Sequence, residues 1–370
     1  MLVVHEERRR PRRRAAPRLA PAAARPALEE AQTSLTYRGT VITRPGGPEA
    51  LEVRELPMPE PGAGEVRIKV RASGVGAADV AGRGGFGGRL AHRLPFVPGR
   101  EVVGTVDELG DGVVGLYVGQ RVVALTAQGG WGEVLVRPAA ELVPVPEGLY
   151  DVEVVALILS YVAALQMIER VAQPEPGQVA LVVDADGGVG RALLELLRLH
   201  GVRAIGSAAP ARHGLLRSLG ATPVPSQGAP LDRLVRDLVP GGVDAAFVGL
   251  GGQAAAECIR ATRRGGTVVG YGLAGTRREG APGGALLARR LLSLLLGARL
   301  AGRKADFYGV APRHRRDPQP FRQDLGRLLA LLASRRIQPR IAARFPLLEA
   351  RRAVELLQAG GLEGKIVLVA

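Results

Sequence analysis

Hydrophobic and polar positions change rhythm twice along this chain. From Leu35 onward, short runs set apolar residues beside charged ones. The clearest, Gly64-Glu65-Val66-Arg67-Ile68-Lys69-Val70-Arg71-Ala72, repeats with a period of two, the pattern of a strand with one buried and one solvated face. Runs at 36–42, 51–56, 99–106, 120–126 and 133–137 continue the series, and Pro57, Pro59 and Pro61 stop the second of them. Closely spaced short strands with glycine or proline between them predict an all-β, barrel-like unit that ends near Pro144-Val145-Pro146.

At Asp151 the rhythm lengthens. Residues 154–169 read as a helix. Residues 178–183 are almost continuously apolar, as in a strand buried on both faces, and Val189, Leu193, Leu196 and Leu197 then fall on one helical stripe. Strands expected at 202–206, 243–249 and 266–271 alternate with helices at 212–219, 232–238 and 254–263. That alternation predicts a parallel sheet with helices on both faces. Beyond residue 302 the pattern reads as a strand or loop at 305–310, helices at 320–335 and 347–358, and a last strand at 365–370. No repeat of fixed period is present.

Composition narrows the class. A chain of 370 residues with 46% hydrophobic content suggests about two domains with sizeable cores. Residues 1–34 are rich in Arg, Pro and Ala and lack apolar periodicity. They predict a disordered arm, a nucleic-acid or membrane-surface arm or, as favoured here, an extension with no folded role. No apolar stretch follows the arginines, so no signal peptide is expected. The stretch nearest to a membrane span, 285–300, is broken by Arg289, Arg290 and Arg299, so no span is expected. The net charge of +15 is almost all arginine, the lysines being Lys69, Lys304 and Lys365. With 4% aromatics and no aromatic residues interleaved with basic ones, a solvated arginine-rich surface is favoured over a nucleic-acid groove. Cys258 is the single cysteine, which excludes intramolecular disulfides and cysteine-rich zinc sites and suits a reducing, cytoplasmic setting.

The turn between the strand at 178–183 and its helix carries the candidate chemistry. A strand, a glycine turn and a helix aim backbone N–H groups and the positive end of the helix at a phosphate. The spacing Ala185-x-x-Gly188-x-Gly190 departs from G-x-G-x-x-G, and taken alone serves equally as an ordinary turn of an α/β domain. Ala185, Gly187, Gly188, Val189 and Gly190 are the candidate pyrophosphate contacts. NAD binders carry an acid about 20 residues further on, which grips the ribose 2′-hydroxyl. Here that position falls near Ser207, and no Asp or Glu occurs between Glu195 and Asp232. Arg212 follows the second strand and is available to a 2′-phosphate, which favours NADPH; it is otherwise one surface arginine among many. Against phosphate stand Asp184 and Asp186. At ~5 Å and an effective dielectric of ~20, each like-charge contact costs about 3 kcal/mol, offset in part by the helix dipole and by arginines such as Arg191.

These elements, in this order, resemble the medium-chain dehydrogenase/reductase superfamily, in particular its zinc-free quinone oxidoreductase branch and bacterial relatives of the vesicle amine transport protein. The resemblance rests on Gly47-Pro48-Glu49, Ala78-Asp79-Val80, Leu94-Pro95-Phe96-Val97-Pro98-Gly99, Val118-Gly119-Gln120-Arg121-Val122, Gly187-Gly188-Val189-Gly190, Leu219-Gly220-Ala221-Thr222-Pro223, Arg264-Gly265-Gly266, Phe307-Tyr308-Gly309 and Gly364-Lys365-Ile366-Val367-Leu368. It implies an α/β chain with a GroES-like β-barrel domain over 35–153, a Rossmann doubly wound parallel-sheet domain over 154–302, and a return segment over 303–370 completing the first. Between the domains it implies a cleft.

Zinc-using relatives place a histidine before the glutamate that is Glu101 here; this chain has Arg100, and no cysteine precedes Cys258. The resemblance thus implies metal-free hydride transfer from NADPH to a quinone or an α,β-unsaturated carbonyl. Alternatives are reduction of an enoyl thioester or other pathway intermediate, and a degenerate, non-catalytic scaffold. Tyr161 aligns with a family tyrosine beside the cleft, and Asp79 is expected to order the cleft turn. Ser207, Gly249, Tyr271, Gly272 and Leu273 join Arg212 as implied cofactor contacts. Phe86, Trp131, Phe307 and Tyr308 are candidates for the pocket lining or the core. A homodimer is implied, pairing sheet edges near 266–273. The chain departs from the family at Gly76, Ala163, Leu165, Ser226 and Val248, where polar side chains are common.

Overall fold

The computed structural model describes residues 35–44, 46–76, 79, 94–250, 252–272 and 284–370. The arm at 1–34, Phe86 and Leu273 lie outside the described residues. The first half of the described chain is antiparallel. Strands β1 (Thr36–Ile42) and β2 (Leu51–Pro57) pair as a separate hairpin. Strands β3 (Glu65–Val75), β4 (Glu101–Leu109), β5 (Arg121–Leu125), β6 (Val134–Pro138) and β7 (Val143–Pro144) form the larger sheet. The alternation read along 64–72 is the register of β3: Val66, Ile68, Val70 and Ala72 are buried, while Arg67 and Lys69 turn outward to Asp107 at 2.6 and 2.9 Å. Trp131 is fully buried in this unit and donates its indole N–H to the Gly74 carbonyl at 3.2 Å, so it belongs to the core rather than to a pocket lining.

Helix α1 (Asp151–Ala172) leads into the second half. It runs 22 residues, longer than the 154–169 expected, and by length and composition it is apolar enough to cross a membrane. This corrects the choice of 285–300 as the nearest such stretch. Its apolar residues, among them Val154, Val155, Leu157, Ile158, Val162, Leu165 and Ile168, are packed into the protein core.

The chain then alternates through β8 (Val179–Val182), α2 (Gly188–Leu199), β9 (Arg203–Ala208), α3 (His213–Ser218), β10 (Ala221–Pro225), α4 (Leu231–Leu238), β11 (Val243–Gly249), α5 (Gly252–Ala261), β12 (Thr262–Tyr271), α6 (Gly284–Leu300) and β13 (Lys304–Tyr308). The six strands are parallel, in the order β10-β9-β8-β11-β12-β13. Counted within the sheet this is 3-2-1-4-5-6, the Rossmann order. Successive residues of the central strands face two different cores. Ala180, Val182, Ala245 and Phe247 pack into one, and Val179, Leu181, Ala246 and Val248 into the other.

Two expectations change here. The stretch 305–310 supplies the sixth strand of the parallel sheet, so this sheet extends past the boundary expected at 302/303. Among the described residues the edge strand at this end of the sheet is therefore β13, and β12, where edge pairing was expected, is covered by β13 along Thr267–Tyr271. Beyond it come α7 (Val310–Arg316), α8 (Gln319–Ala333), β14 (Ile341–Pro346), α9 (Ala350–Ala359) and β15 (Lys365–Val369). Strands β14 and β15 pair in parallel, and β15 joins β3 antiparallel, so the C-terminal segment completes the first sheet.

A buried polar network ties this segment to α1. Asp324 on α8 accepts hydrogen bonds from Arg170 at 2.7 and 3.0 Å and from Gln166 at 2.8 Å, and Gln166 accepts one from the Tyr308 hydroxyl at 2.8 Å. Tyr308, buried, is thereby a core residue, and Phe307 is half-buried against the opposite core. Asp324→Ala would leave Gln166 without its buried acceptor; Arg170, partly exposed, can rehydrate. The expected loss is about 2–3 kcal/mol of stability by denaturant titration, and a change within about 0.5 kcal/mol would count against the network.

Candidate active-site cleft

At the C-terminal end of the parallel sheet, β8 and β11 are neighbours whose chains continue to opposite sides, the position where open α/β sheets leave a crevice. Its floor is the glycine turn. Asp184 takes a left-handed backbone conformation, φ 52°, tolerated by a short polar side chain. The Ala185 N–H donates to the Ser207 carbonyl at 2.9 Å, and the Gly187 N–H returns to the Asp184 carbonyl at 3.0 Å. Gly190 packs against the turn itself: a Cβ there would lie 2.7 Å from the Ala185 Cα, so only glycine lets α2 start this close to β8. Among the described residues no side chain caps the N-terminus of α2 and no acid lies in its first turn, so the positive dipole end of the helix stands at the crevice uncapped.

Residues from both sheet units close over this end. A recess of about 20 Å³ is lined by Ala156, Ser160 and Tyr161 of α1, Gly188 and Arg191 of α2, and the pairs Pro339, Arg340 and Gly364, Lys365 at the starts of β14 and β15. Three cations thus converge on the end of a helix. Arg191 is buried, and its Nη1 has no hydrogen-bond partner among the described residues. Burial lowers its pKa, with Glu195 and Tyr161 opposing, and a guanidinium so placed stays charged. Uncapped N–H groups and a buried guanidinium whose Nη1 lacks a hydrogen bond are donors suited to an anion, in a recess that as it stands has room for about one water.

Tyr161 donates its hydroxyl to Glu195 Oε2 at 3.0 Å, and the same oxygen accepts the Gln338 N–H at 3.1 Å. Burial, reinforced by the Glu195 charge, raises the Tyr161 phenol; burial likewise raises the Glu195 carboxyl, against the Gln338 N–H, Tyr161 and Arg191. Asp79 is buried and its Oδ2 accepts the Gly76 N–H at 2.9 Å, closing a turn at the end of β3. Burial raises its pKa, with Lys365 and Arg100 opposing.

Sequence reasoning missed Glu101 and Lys365, which stand beside Asp79. The Lys365 ammonium lies 2.7 Å from Glu101 Oε1 and 2.6 Å from Oε2, and Glu101 is 1% exposed. A usable signal was present, since Lys365 is one of only three lysines in an arginine-rich chain. Glu195, Arg340 and Glu363 were missed as well, and nothing in their local sequence marks them.

The remaining positions lie along the C-terminal ends of the strands. Ser207 is buried at the end of β9. Gly249 and Tyr271 are register partners at the ends of β11 and β12, and Gly272 follows with φ 56°. Asp184 adds to burial in raising the Tyr271 phenol, so its charge bears on that side, whereas Asp186 Oδ2 lies 4.0 Å from the Arg212 Nε. Arg212 also donates from Nη1 to Glu363 and from Nη2 to the Gly361 carbonyl at 2.6 Å. Cys258 is buried in α5, where burial raises its thiol. No cluster of three or more His, Cys, Asp and Glu able to hold a metal occurs among the described residues.

An antiparallel unit completed by its own C-terminal strands, joined to a 3-2-1-4-5-6 sheet with a cation-lined crevice, defines a two-domain protein of the alcohol dehydrogenase architecture. Residues 62–147 match the family model of the alcohol dehydrogenase GroES-like domain, and residues 219–368 that of zinc-binding dehydrogenases. The synaptic vesicle membrane protein VAT-1 homolog of Rattus norvegicus is 34% identical over 241 residues, 64% of this chain and 59% of that protein, so the match spans about three fifths of this curated relative. A quinone oxidoreductase-like protein 2 homolog of Nematostella vectensis is 27% identical over 340 residues, covering 90% of this chain and 89% of the relative. A mycobacterial protein solved in complex with NADPH superposes with a TM-score of 0.78 at 29% identity, over 90% of this chain and all of that one. By its fold and the two family models the chain has the architecture of the medium-chain dehydrogenase/reductase superfamily, and it is similar to the quinone oxidoreductases of that superfamily.

The buried acid gives the site a pH signature. Burial pushes the Glu101 carboxyl up from 4.5 to about 6, with Lys365 opposing and Asp79 adding. The folded protein then holds this proton more tightly than the unfolded chain. The stabilisation is fully present below about 4.5 and is lost as pH rises through 6, an interval worth about 2 kcal/mol. Glu101→Gln is expected to remove that slope from a plot of unfolding free energy against pH between 4.5 and 6; parallel curves for variant and wild type would refute the assignment.

Proposed function

We propose that this chain is a zinc-independent, NADPH-dependent reductase of quinones or α,β-unsaturated carbonyls. The observation that carries this reading is the convergence of Arg191, Arg340 and Lys365 on the uncapped end of α2 at the crevice of the parallel sheet. These groups and the backbone N–H groups of Gly188 and Val189 would hold the pyrophosphate, and Arg212 would pair with the 2′-phosphate. Bound NADPH supplies the hydride. The chain's part is to orient and to exclude water. The apolar side of α1 walls the recess with Ala156, and Glu195 and the Gln338 N–H fix Tyr161 at its edge. Arg100 in place of a histidine before Glu101, with the single cysteine buried in α5, leaves no soft ligand set for a catalytic zinc.

Calorimetric titration is expected to show saturable NADPH binding that Arg340→Ala weakens about tenfold, and Arg212→Glu should weaken NADPH far more than NADH. NADPH oxidation with quinones and enones should survive a chelator. No saturable binding at about 1 mM cofactor would defeat the reading.

The same reading takes the protein as a homodimer joined along β13, the edge strand, beside which α6 exposes Leu292, Leu295, Leu296 and Leu300. Sedimentation equilibrium should return twice the 38.8 kDa chain mass, and a monomer at micromolar concentration would reject it.

A further inference from the structure

Arg212 is already occupied. It lies on the cofactor sheet, in the turn between β9 and α3, and its guanidinium reaches the chain that runs from α9 into β15. Gly360 and Gly361 take φ of 76° and 73° there, a path that brings the Gly361 carbonyl and the Glu363 carboxylate onto the guanidinium fork. Asp186, from the glycine turn, stands at 4.0 Å on the Nε side. Two carboxylates and a carbonyl therefore surround one positive charge, and the set carries a net charge of about −1.

A 2′-phosphate would need the same N–H fork, and a phosphate monoester brings about −1.5 to −2 of charge. Glu363 and the Gly361 carbonyl already hold N–H groups of that fork, so the phosphate competes with Glu363 for it, and it meets Asp186 as a like charge. The neutral 2′-hydroxyl of NADH displaces nothing. We propose that Glu363 is a specificity-determining residue, whose carboxylate competes with the cofactor's 2′-phosphate for Arg212 and so holds down the preference for NADPH over NADH. The proposal rests on Arg212 being the 2′-phosphate partner. Glu363, rather than Asp186, is the competitor because it is hydrogen-bonded to the fork, and because it lies in a separate loop that can move away without disturbing the glycine turn.

Glu363→Gln keeps the shape and removes the charge; Glu363→Ala removes both. Both change a partly exposed loop residue, and thermal melts should match wild type within a few degrees. Calorimetric titration of wild type and both variants with NADPH, NADH, 2′-AMP and 5′-AMP reads the effect without turnover. NADPH and 2′-AMP are expected to bind about three- to tenfold tighter to both variants, with NADH and 5′-AMP changed by less than about twofold. Wild type that binds NADPH, with variants that leave the NADPH-to-NADH ratio unchanged or lower it, overturns this inference alone. Wild type that binds neither dinucleotide overturns the functional reading and this inference with it.

Discussion

The cleft depends on one steric condition, the absence of a side chain at Gly190. With no Cβ there, α2 begins against the Asp184–Ala185 backbone, at the end of β8 where the crevice between β8 and β11 opens. A helix begun further out would still pack its leucines on the sheet, but its dipole end would no longer face the point where Arg191, Arg340 and Lys365 meet. Gly188 adds a second, softer condition, since a Cβ there would lie 3.3 Å from the Ser160 hydroxyl. The positive end of the helix is thus a consequence of packing, and the cations gather round it from elements far apart in sequence.

The chain's overall charge says little about this site. Many of the described arginines sit in ion pairs, and exposed ones such as those of Arg38 with Glu133 and Arg260 with Asp232 contribute little to stability. What matters is the local balance at each end of the cleft. At the inner end, Lys365 faces two buried carboxylates, Glu101 and Asp79, and the cost of their burial shows in the raised pKa of each. At the outer end, Arg212 faces Glu363 and Asp186. The unmatched positive charge lies between, on Arg191 and the end of α2.

The architecture was largely legible in the sequence because it follows from periodicity. The two-residue rhythm of 64–72 became β3, and the apolar run at 178–183 became the central strand of a sheet buried on both faces. The glycine turn could be located from its residue types alone. Three features were not legible. Strand β14 (Ile-Ala-Ala-Arg-Phe-Pro in sequence) is short, partly exposed and without alternation, so only its pairing with β15 defines it. The stretch at 304–308 was ambiguous until its partner β12 was known. Helix α1 exceeded its expected length because its end turns, 151–153 and 170–172, carry charged residues such as Asp151 and Arg170 that interrupt the apolar pattern. At the site, Tyr161, Asp79 and Arg212 could be singled out from sequence, but Glu195 and Glu363, the partners of Tyr161 and Arg212, and the Glu101–Lys365 pair beside Asp79 could not. Partnership across 34 residues, as for Tyr161 and Glu195, or 151, as for Arg212 and Glu363, is a property of the fold and leaves no local pattern.

Several groups that the sequence did not mark come from one stretch of chain, which explains why the cleft is a single structure rather than a gap between two. Between residues 338 and 365 the C-terminal segment supplies the Gln338 N–H to Glu195, Arg340 and Lys365 to the recess, and the Gly361 carbonyl and Glu363 to Arg212. Lys365 is also the first residue of β15, which is paired to β3, so the hydrogen bonds that close the antiparallel sheet fix the ammonium between Glu101 and the cleft. A shift of β15 by one residue would place Ile366 where Lys365 stands, leaving Glu101 buried without a cation and the recess without one of its three positive charges. The register of the last strand is therefore under two demands at once, one from the core and one from the anion site, and both are met by the same residue.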